Sequence, residues 1–102
     1  MSDTDTLTKK RQSTDSVILK PSKYKVIIYN DNTTPVEFVI ALLVTVFRHN
    51  ETSAIDITMK VHHEGYGIAG LYTHEIAEQK VIEGTDAARN QGYPLVLKVE
   101  KE

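Results

Sequence analysis

The chain has 102 residues, 40% of them hydrophobic and 25% charged, with a formal net charge of −2, which leaves room for one ordinary globular core and not for two. Acids and bases are spread along it, so there is no basic stripe for nucleic acid, and the absence of cysteine excludes disulfide frameworks and thiolate metal sites. The longest apolar stretch, Phe38 to Phe47, is broken by Thr45 and too short to span a bilayer.

Residues 1–22 are mostly Ser, Thr, Asp, Lys and Gln around one apolar patch, Val17-Ile18-Leu19. Such a segment buries too little surface to offset its ordering entropy, so it is expected to be a disordered tail, either a frayed terminus or a tether that another protein grips. It lacks the apolar run of a secretory signal, which makes a cytoplasmic location the default expectation. The folded domain is expected over residues 23–102.

Tyr24 to Tyr29 is rich in β-branched and aromatic residues and predicts a strand. Asn30-Asp31-Asn32-Thr33 then breaks it with turn formers. Thr34-Pro35-Val36-Glu37 has the form of a helix start, with Thr34 as N-cap, Pro35 at the first helical position and Glu37 closing a capping box. Phe38, Ala41, Leu42, Thr45 and Val46 recur at helical spacing and predict its apolar face. A second helix is expected from a Ser53 cap, with Asp56 at the third position and Gly65 as its stop. Gly67 to Tyr72 predicts a second strand. A third helix is expected from a Thr73 cap to about Asn90, with Glu75 at its positive end and Gly92 beyond it. Gly84 lies inside that helix, where it costs about 1 kcal/mol relative to Ala for no reason visible in the sequence. The last strand opens at Tyr93-Pro94 and alternates Leu95, Leu97 and Val99 with Val96, Lys98 and Glu100. This order implies an α+β domain, β-α-α-β-α-β, with helices packed on one face of a small sheet.

Two places hold polar side chains that such a fold does not obviously need. The loop Asn30-Asp31-Asn32 is explicable as turn and cap chemistry, or as a binding loop. His62 shares a helical face with Ile55, Thr58 and Met59, so it is expected to point toward the core or its edge while His63 turns away. It is then either a packing histidine or a site residue. Catalytic signatures are missing: no cysteine nucleophile, no G-x-S-x-G, no Gly-rich phosphate loop and no H-E-x-x-H. His62, His63 and Glu64 diverge on a helix and predict no metal site.

The run Tyr24 to Phe38, YKVIIYNDNTTPVEF, resembles the signature of the ClpS adaptor family. Val61-His62-His63-Glu64-Gly65, the run from Thr73 to Val81 and the terminal Pro94-Leu95 are similar to that family in order and spacing, so the likeness covers about residues 23–102. It implies a three-stranded antiparallel sheet with three helices on one side, and a non-enzymatic adaptor without cofactor or metal. Such an adaptor binds proteins whose first residue is Leu, Phe, Tyr or Trp and delivers them to the ClpA unfoldase of the ClpAP protease, a AAA+ machine. The resemblance puts the α-amino clamp on Asn30, Asp31 and His62. It puts the side-chain pocket on Thr34, Pro35, Val36, Val39, Thr58, Val61 and Leu95, and the unfoldase contact on Glu75 and Lys80. The expected partners are that unfoldase and N-degron substrates, with no nucleic acid and no membrane; the chain itself is expected to be monomeric.

A free chain start carries a charged amine with three donors, where an internal residue offers one amide N–H. Asn30 and His62 can accept hydrogen bonds from it and Asp31 adds charge, so His62 must offer a neutral nitrogen and acid is expected to weaken binding. The sequence departs from the family's commonest pattern at three places. Val36 stands where a Met usually guards the pocket mouth, Thr58 where a Met often lines the wall, and Asn32 where Asp is common. A roomier mouth is expected to tolerate Ile or Val as first residue, and Thr58 to add a hydroxyl to the wall. Other readings of the same residues are a ribosomal-stalk-like interaction module, an unfoldase-docking modulator without cargo, and a small hydrolase or metal enzyme built on Asp31, His62 and His63.

Overall fold

The computed structural model describes residues 22–102. The expected tail, residues 1–22, lies almost wholly outside them. The elements follow as β1 (Tyr24–Tyr29), α1 (Val36–Thr45), α2 (Glu51–Glu64), β2 (Tyr66–Tyr72), α3 (His74–Asn90) and β3 (Val96–Lys101). The three strands form one antiparallel sheet in the order β2-β1-β3, with Tyr29 opposite both Tyr66 and Val96.

The period of two decides which side of β1 meets the helices. Val26 and Ile28 point inward and are fully buried, and Leu42, Leu43, Ala54, Ala77, Ala88 and Leu95 close over them. Ile27 points to the open face, yet it is only 4% exposed. It sits in the central strand opposite Ile68 and Lys98, and Lys98 reaches over the Tyr29 ring at 5.9 Å. The aliphatic stem of a lysine can shield apolar surface in this way while its charge stays wet.

Between Val26 and Ile27 the register slips, and Ala69 is the extra residue of the resulting β-bulge. Its carbonyl is taken up by His49 Nε2, which ties the segment after α1 to β2. Lys80 Nζ donates to Val46 O at 2.7 Å, joining α3 to the end of α1. Arg89 Nη1 donates to Tyr93 O and Leu95 O at 2.8 and 2.9 Å, which fixes the entry into β3.

Several local expectations need correction. The helix α1 has Pro35 as its N-cap, with no side-chain cap bond, because the Thr34 hydroxyl is engaged by Asp31 instead. The helix α2 is capped by Asn50, whose side chain accepts from Ser53 N, so Ser53 lies inside the first turn. Thr73 does hold the N-cap position of α3, again without a side-chain bond. The last strand begins at Val96, two residues after Pro94, because Tyr93 and Leu95 give their carbonyls to Arg89. The buried face of α1 is Val39, Leu42 and Leu43, while Ala41 and Thr45 are exposed. On α2 the buried set is Ala54, Thr58 and Val61, with Ile55 and Met59 on the outside. Side-chain size explains the second case. The helix lies close to its neighbours, so Ala54 and Thr58 fit inward and the longer apolar residues are left outside.

Gly84 also gains its reason. A Cβ there would stand 2.8 Å from Leu97 Cδ2 and 3.7 Å from Leu42 Cδ2, so α3 approaches the core through this glycine. Replacement by Ala should change stability little, because the propensity gain offsets a small shift of the Leu97 end. Gly84→Val should cost about 1–3 kcal/mol by overpacking, read as a lower urea midpoint at unchanged slope.

Candidate functional site

The site begins where β1 ends. Asn30 N–H donates to Gly65 O at 2.9 Å, and Gly65 closes α2 in a left-handed conformation with φ of 94°. That bond joins a loop and a helix end that lie thirty-five residues apart in sequence. It brings His62, one turn before Gly65, beside the loop.

Asp31 holds the loop in shape. Its Oδ1 accepts the amides of Thr33 and Thr34 at 2.8 and 2.7 Å, and Oδ2 accepts the Thr34 hydroxyl at 2.7 Å. Burial pushes the Asp31 carboxyl up, but the Thr34 amide and hydroxyl, the Thr33 amide and the nearby Arg89 charge outweigh it. The net result lies below the ordinary carboxylate value, so Asp31 is charged at neutral pH. A carboxylate has about four acceptor positions. Three are taken within the loop, so Asp31 offers the site a fixed negative charge more than a row of free acceptors.

A cleft of about 190 Å³ opens between this loop, α1 and α2. Asn30, Asp31, Asn32, Thr34 and His62 form its polar side, and Val36, Val39, Thr58 and Val61 its inner wall. Asn30, Asp31 and His62 therefore meet at one cleft. Of the core or its edge, His62 takes the edge; it is exposed at the cleft rim, its ring edge-on to His63 with centroids 5.3 Å apart. Val39, Thr58 and Val61 are 6%, 2% and 3% exposed, which makes the wall a fixed part of the core. The Thr58 hydroxyl donates to Ala54 O at 2.7 Å within α2. Its proton is committed to the helix backbone, so the hydroxyl has no donor left for the wall, only acceptor capacity.

Two residues expected at the pocket do not line the cleft. Leu95 is packed in the core at 1% exposure. Pro35 starts α1, its carbonyl accepting from Phe38 N and Val39 N. Asn32, part of the candidate binding loop but not of the expected clamp or pocket, also lines the cleft; its place between Asp31 and Thr34 is the available signal. Glu75 is exposed in the first turn of α3, and Lys80 is half-buried and bonded to Val46 O. Among the described residues, no three His, Asp or Glu side chains are grouped to hold a metal ion. No helix among them is long and apolar enough to cross a membrane.

The family model "ATP-dependent Clp protease adaptor protein ClpS" matches residues 19–98. The chain belongs to the ClpS family. An ATP-dependent Clp protease adapter protein ClpS of Shewanella piezotolerans is 41% identical over 101 residues, covering 99% of each chain. The ClpS of Maricaulis maris is 46% identical over 83 residues, covering 81% of this chain and 76% of its own. Among solved structures, Agrobacterium tumefaciens ClpS2 bound to L-phenylalaninamide superposes with a TM-score of 0.78 at 37% identity, covering 81% of this chain and all of that one. ClpS proteins are adaptors of a protease and not themselves catalysts.

The polar half of a ClpS-type cleft depends here on the left-handed turn at Gly65. A Cβ at that position would meet nothing within 4 Å, so substitution there tests conformation alone. Gly65→Ala should cost about 1–2 kcal/mol of stability. Gly65→Asn should cost less, because Asn visits this region more readily. Chemical denaturation of the three proteins checks the order.

Proposed function

We propose that the cleft holds the first residue of a substrate protein, its α-amino group among Asn30, Asp31 and His62 and its side chain against Thr34, Val36, Val39, Thr58 and Val61. The observation that carries this reading is the meeting of a carboxamide, an imidazole, one fixed carboxylate and an apolar wall in a single cleft. An ammonium satisfies all three polar groups at once. An internal residue leaves acceptors unpaired, at about 1–3 kcal/mol for each buried group.

Size agrees with the chemistry. A cavity of about 150 Å³ accepts benzene, and this cleft has about 190 Å³, enough for one aromatic or branched aliphatic side chain. The ligand of the Agrobacterium ClpS2 structure, L-phenylalaninamide, has the same three features: a free amine, a benzyl group and an amide where the rest of a chain would continue. Pro35 and Leu95 serve this pocket indirectly, Pro35 by setting the start of α1 and Leu95 by filling the core.

The captured protein is then delivered to an AAA+ unfoldase of the Clp protease, of the ClpA type. The exposed Glu75 and the half-buried Lys80 on α3 form part of the contact, and the segment 1–22 is the part offered to the pore. The chain works as a cytoplasmic monomer without cofactor.

Fluorescence anisotropy with a Phe-initiated peptide and its N-acetylated twin tests the reading. Acetylation should weaken binding about a hundredfold or more, since two acceptors lose their partner. Equal affinity for the two peptides would sink it. Asn30→Ala and His62→Ala should each cost about tenfold or more toward the free peptide, with the folded state intact because both side chains lie at the rim.

Val36 sets the mouth of the cleft with a short branched side chain. An Ile-initiated peptide should therefore bind well above its acetylated control, and Val36→Met should remove that binding while leaving the Phe peptide within about threefold. An Ile peptide rejected as badly as an acetylated one would refute the role of Val36.

A further inference from the structure

The helix-free face of the sheet carries apolar side chains where a solvated face ordinarily carries polar ones. The strand register lays its outward residues in three rows. Leu71, Lys25 and Glu100 form the first, at the Tyr24 end where the chain enters β1. Ile68, Ile27 and Lys98 form the second, and Tyr66, Tyr29 and Val96 the third. Leu71, Ile68, Tyr66 and Val96 are each between 41% and 51% exposed. A groove of about 360 Å³ runs along β1 beside Ile68 and Tyr66. Single exposed apolar residues are ordinary, but a contiguous patch of them marks a contact surface. We propose that its occupant is the chain's own leading segment, with Val17-Ile18-Leu19 packed on Ile27, Ile68 and Leu71.

Reach favours this occupant. The leading segment joins the sheet through Ser22 and Lys23, beside the first row of the face. Packed layers stand about 10 Å apart, so rising to that level takes about three residues, Lys20 to Ser22. Pro21 suits such a reversal, because its fixed φ favours the second position of a turn. Leu19 then falls above the first row, and Val17 about 7 Å further along, beside the second. The apolar run is thus placed at the distance where Leu71, Ile27 and Ile68 stand.

The charges follow the same order. Lys20 arrives near Glu100, whose side chain is 59% exposed and lies 3.7 Å from Lys25 Nζ, with room for a second cation. Asp15 comes two residues beyond Val17, on the side of Lys98, whose Nζ stands 5.9 Å over the Tyr29 ring. The third row needs no apolar cover of its own, since two of its residues are tyrosines with polar tips.

Tethering decides for the chain's own segment over a second copy. A segment joined directly to its docking surface acts at an effective concentration of about millimolar, with no dependence on how much protein is present. Residues 1–14 lie beyond the patch, so docking is compatible with offering the tip of the segment to a pore.

The chain contains no tryptophan and no cysteine, so introduced reporters are read without background. Acrylamide quenching is measured on full-length Ile18→Trp and, for reference, on full-length Thr6→Trp. The indole of Ile18→Trp should be quenched about threefold less, as expected of a partly buried side chain. Adding Ile68→Asp, at an exposed position of the open face, should bring the two to the same value. Disulfide trapping supplies a second measurement that leaves Ile68 in place. Val17→Cys with Lys98→Cys should close within the monomer about tenfold faster than Val17→Cys with Ile82→Cys, the latter partner being exposed on α3.

Equal quenching in Ile18→Trp and Thr6→Trp, or protection that survives Ile68→Asp, overturns the proposal. Equal rates for the two cysteine pairs overturn it as well, and this arm decides should Ile68→Asp fail to fold. Protection that grows with protein concentration, alongside a dimer in sedimentation, makes the face a contact between copies and overturns the assignment. No readout uses a peptide ligand, so each stands whether or not the cleft binds an α-amino group.

Discussion

The hydrogen bond from Asn30 N–H to Gly65 O at 2.9 Å does more for this molecule than its modest energy suggests. A typical backbone bond contributes about 1 kcal/mol net. This one fixes the distance between two segments that fold into different elements. Asn30 leaves the central strand and Gly65 leaves α2, and only their junction brings a loop carboxamide beside a helix imidazole. The pairing of Tyr29 with Tyr66 continues the same junction into the sheet. Gly65 allows it because the chain must turn from helix to strand within one residue at a φ of 94°, where an L side chain is strained. The cleft is thus a consequence of how β1, α2 and β2 are joined, and its polar side inherits the stiffness of the sheet.

Asp31 completes that stiffness from within the loop. Its bonds to Thr33 and Thr34 replace the N-cap that Thr34 would otherwise provide to α1. The exchange has a functional sense. A Thr34 cap would stabilise the helix alone, whereas a Thr34 bound to Asp31 locks the loop to the helix start and keeps the carboxylate ionised at the cleft. A preorganised charge interacts with an incoming ammonium without first losing conformational freedom, which is the usual route by which rigid sites bind more tightly than flexible ones of the same composition. The apolar wall follows the same logic. Thr58 donates its hydroxyl to Ala54 O, so the wall presents no free donor at that position.

The sequence revealed the element order and the loop that carries the site because both rest on local chemistry. The β-branched run from Tyr24, the turn formers after it and the glycine stop of α2 each act within a few residues. What stayed hidden depends on approach distances between elements. The helical stripes pointed to Ile55 and Met59 as the buried side of α2, but the small residues Ala54 and Thr58 face inward because a closely packed helix selects for size over hydrophobicity. The same stripe puts His62 at the core or its edge, and only the packing of α2 decides for the edge, at the cleft rim. Gly84 had no visible reason until Leu97 and Leu42 were found against it. The exchange of Thr34 from cap to carboxylate partner could not be read either, since both bonds use the same short segment and only geometry decides between them. The residues themselves singled out the loop and His62, but the clamp role of Asn30, Asp31 and His62 rests on the family likeness, because spacing alone cannot tell a binding loop from an ordinary turn.

An adaptor that hands cargo to a larger machine must hold it without standing in the way. The sheet gives this chain the means. Asn30 and the cleft follow the last residue of β1, while the chain enters β1 at Tyr24, about 17 Å away for a strand of this length. The Tyr24 end also carries the start of α3, where the His74 ring packs edge-on against Tyr24 with centroids 4.7 Å apart and Glu75 follows in the first turn. Lys80 belongs to the same end through its bond to Val46 O at the finish of α1. The proposed partner-facing residues and the root of the leading segment therefore lie together, remote from the captured amine. A cleft that grips one residue beyond the opposite end of β1 would leave that side clear, and a clear approach is what a pulling machine requires of the protein that feeds it.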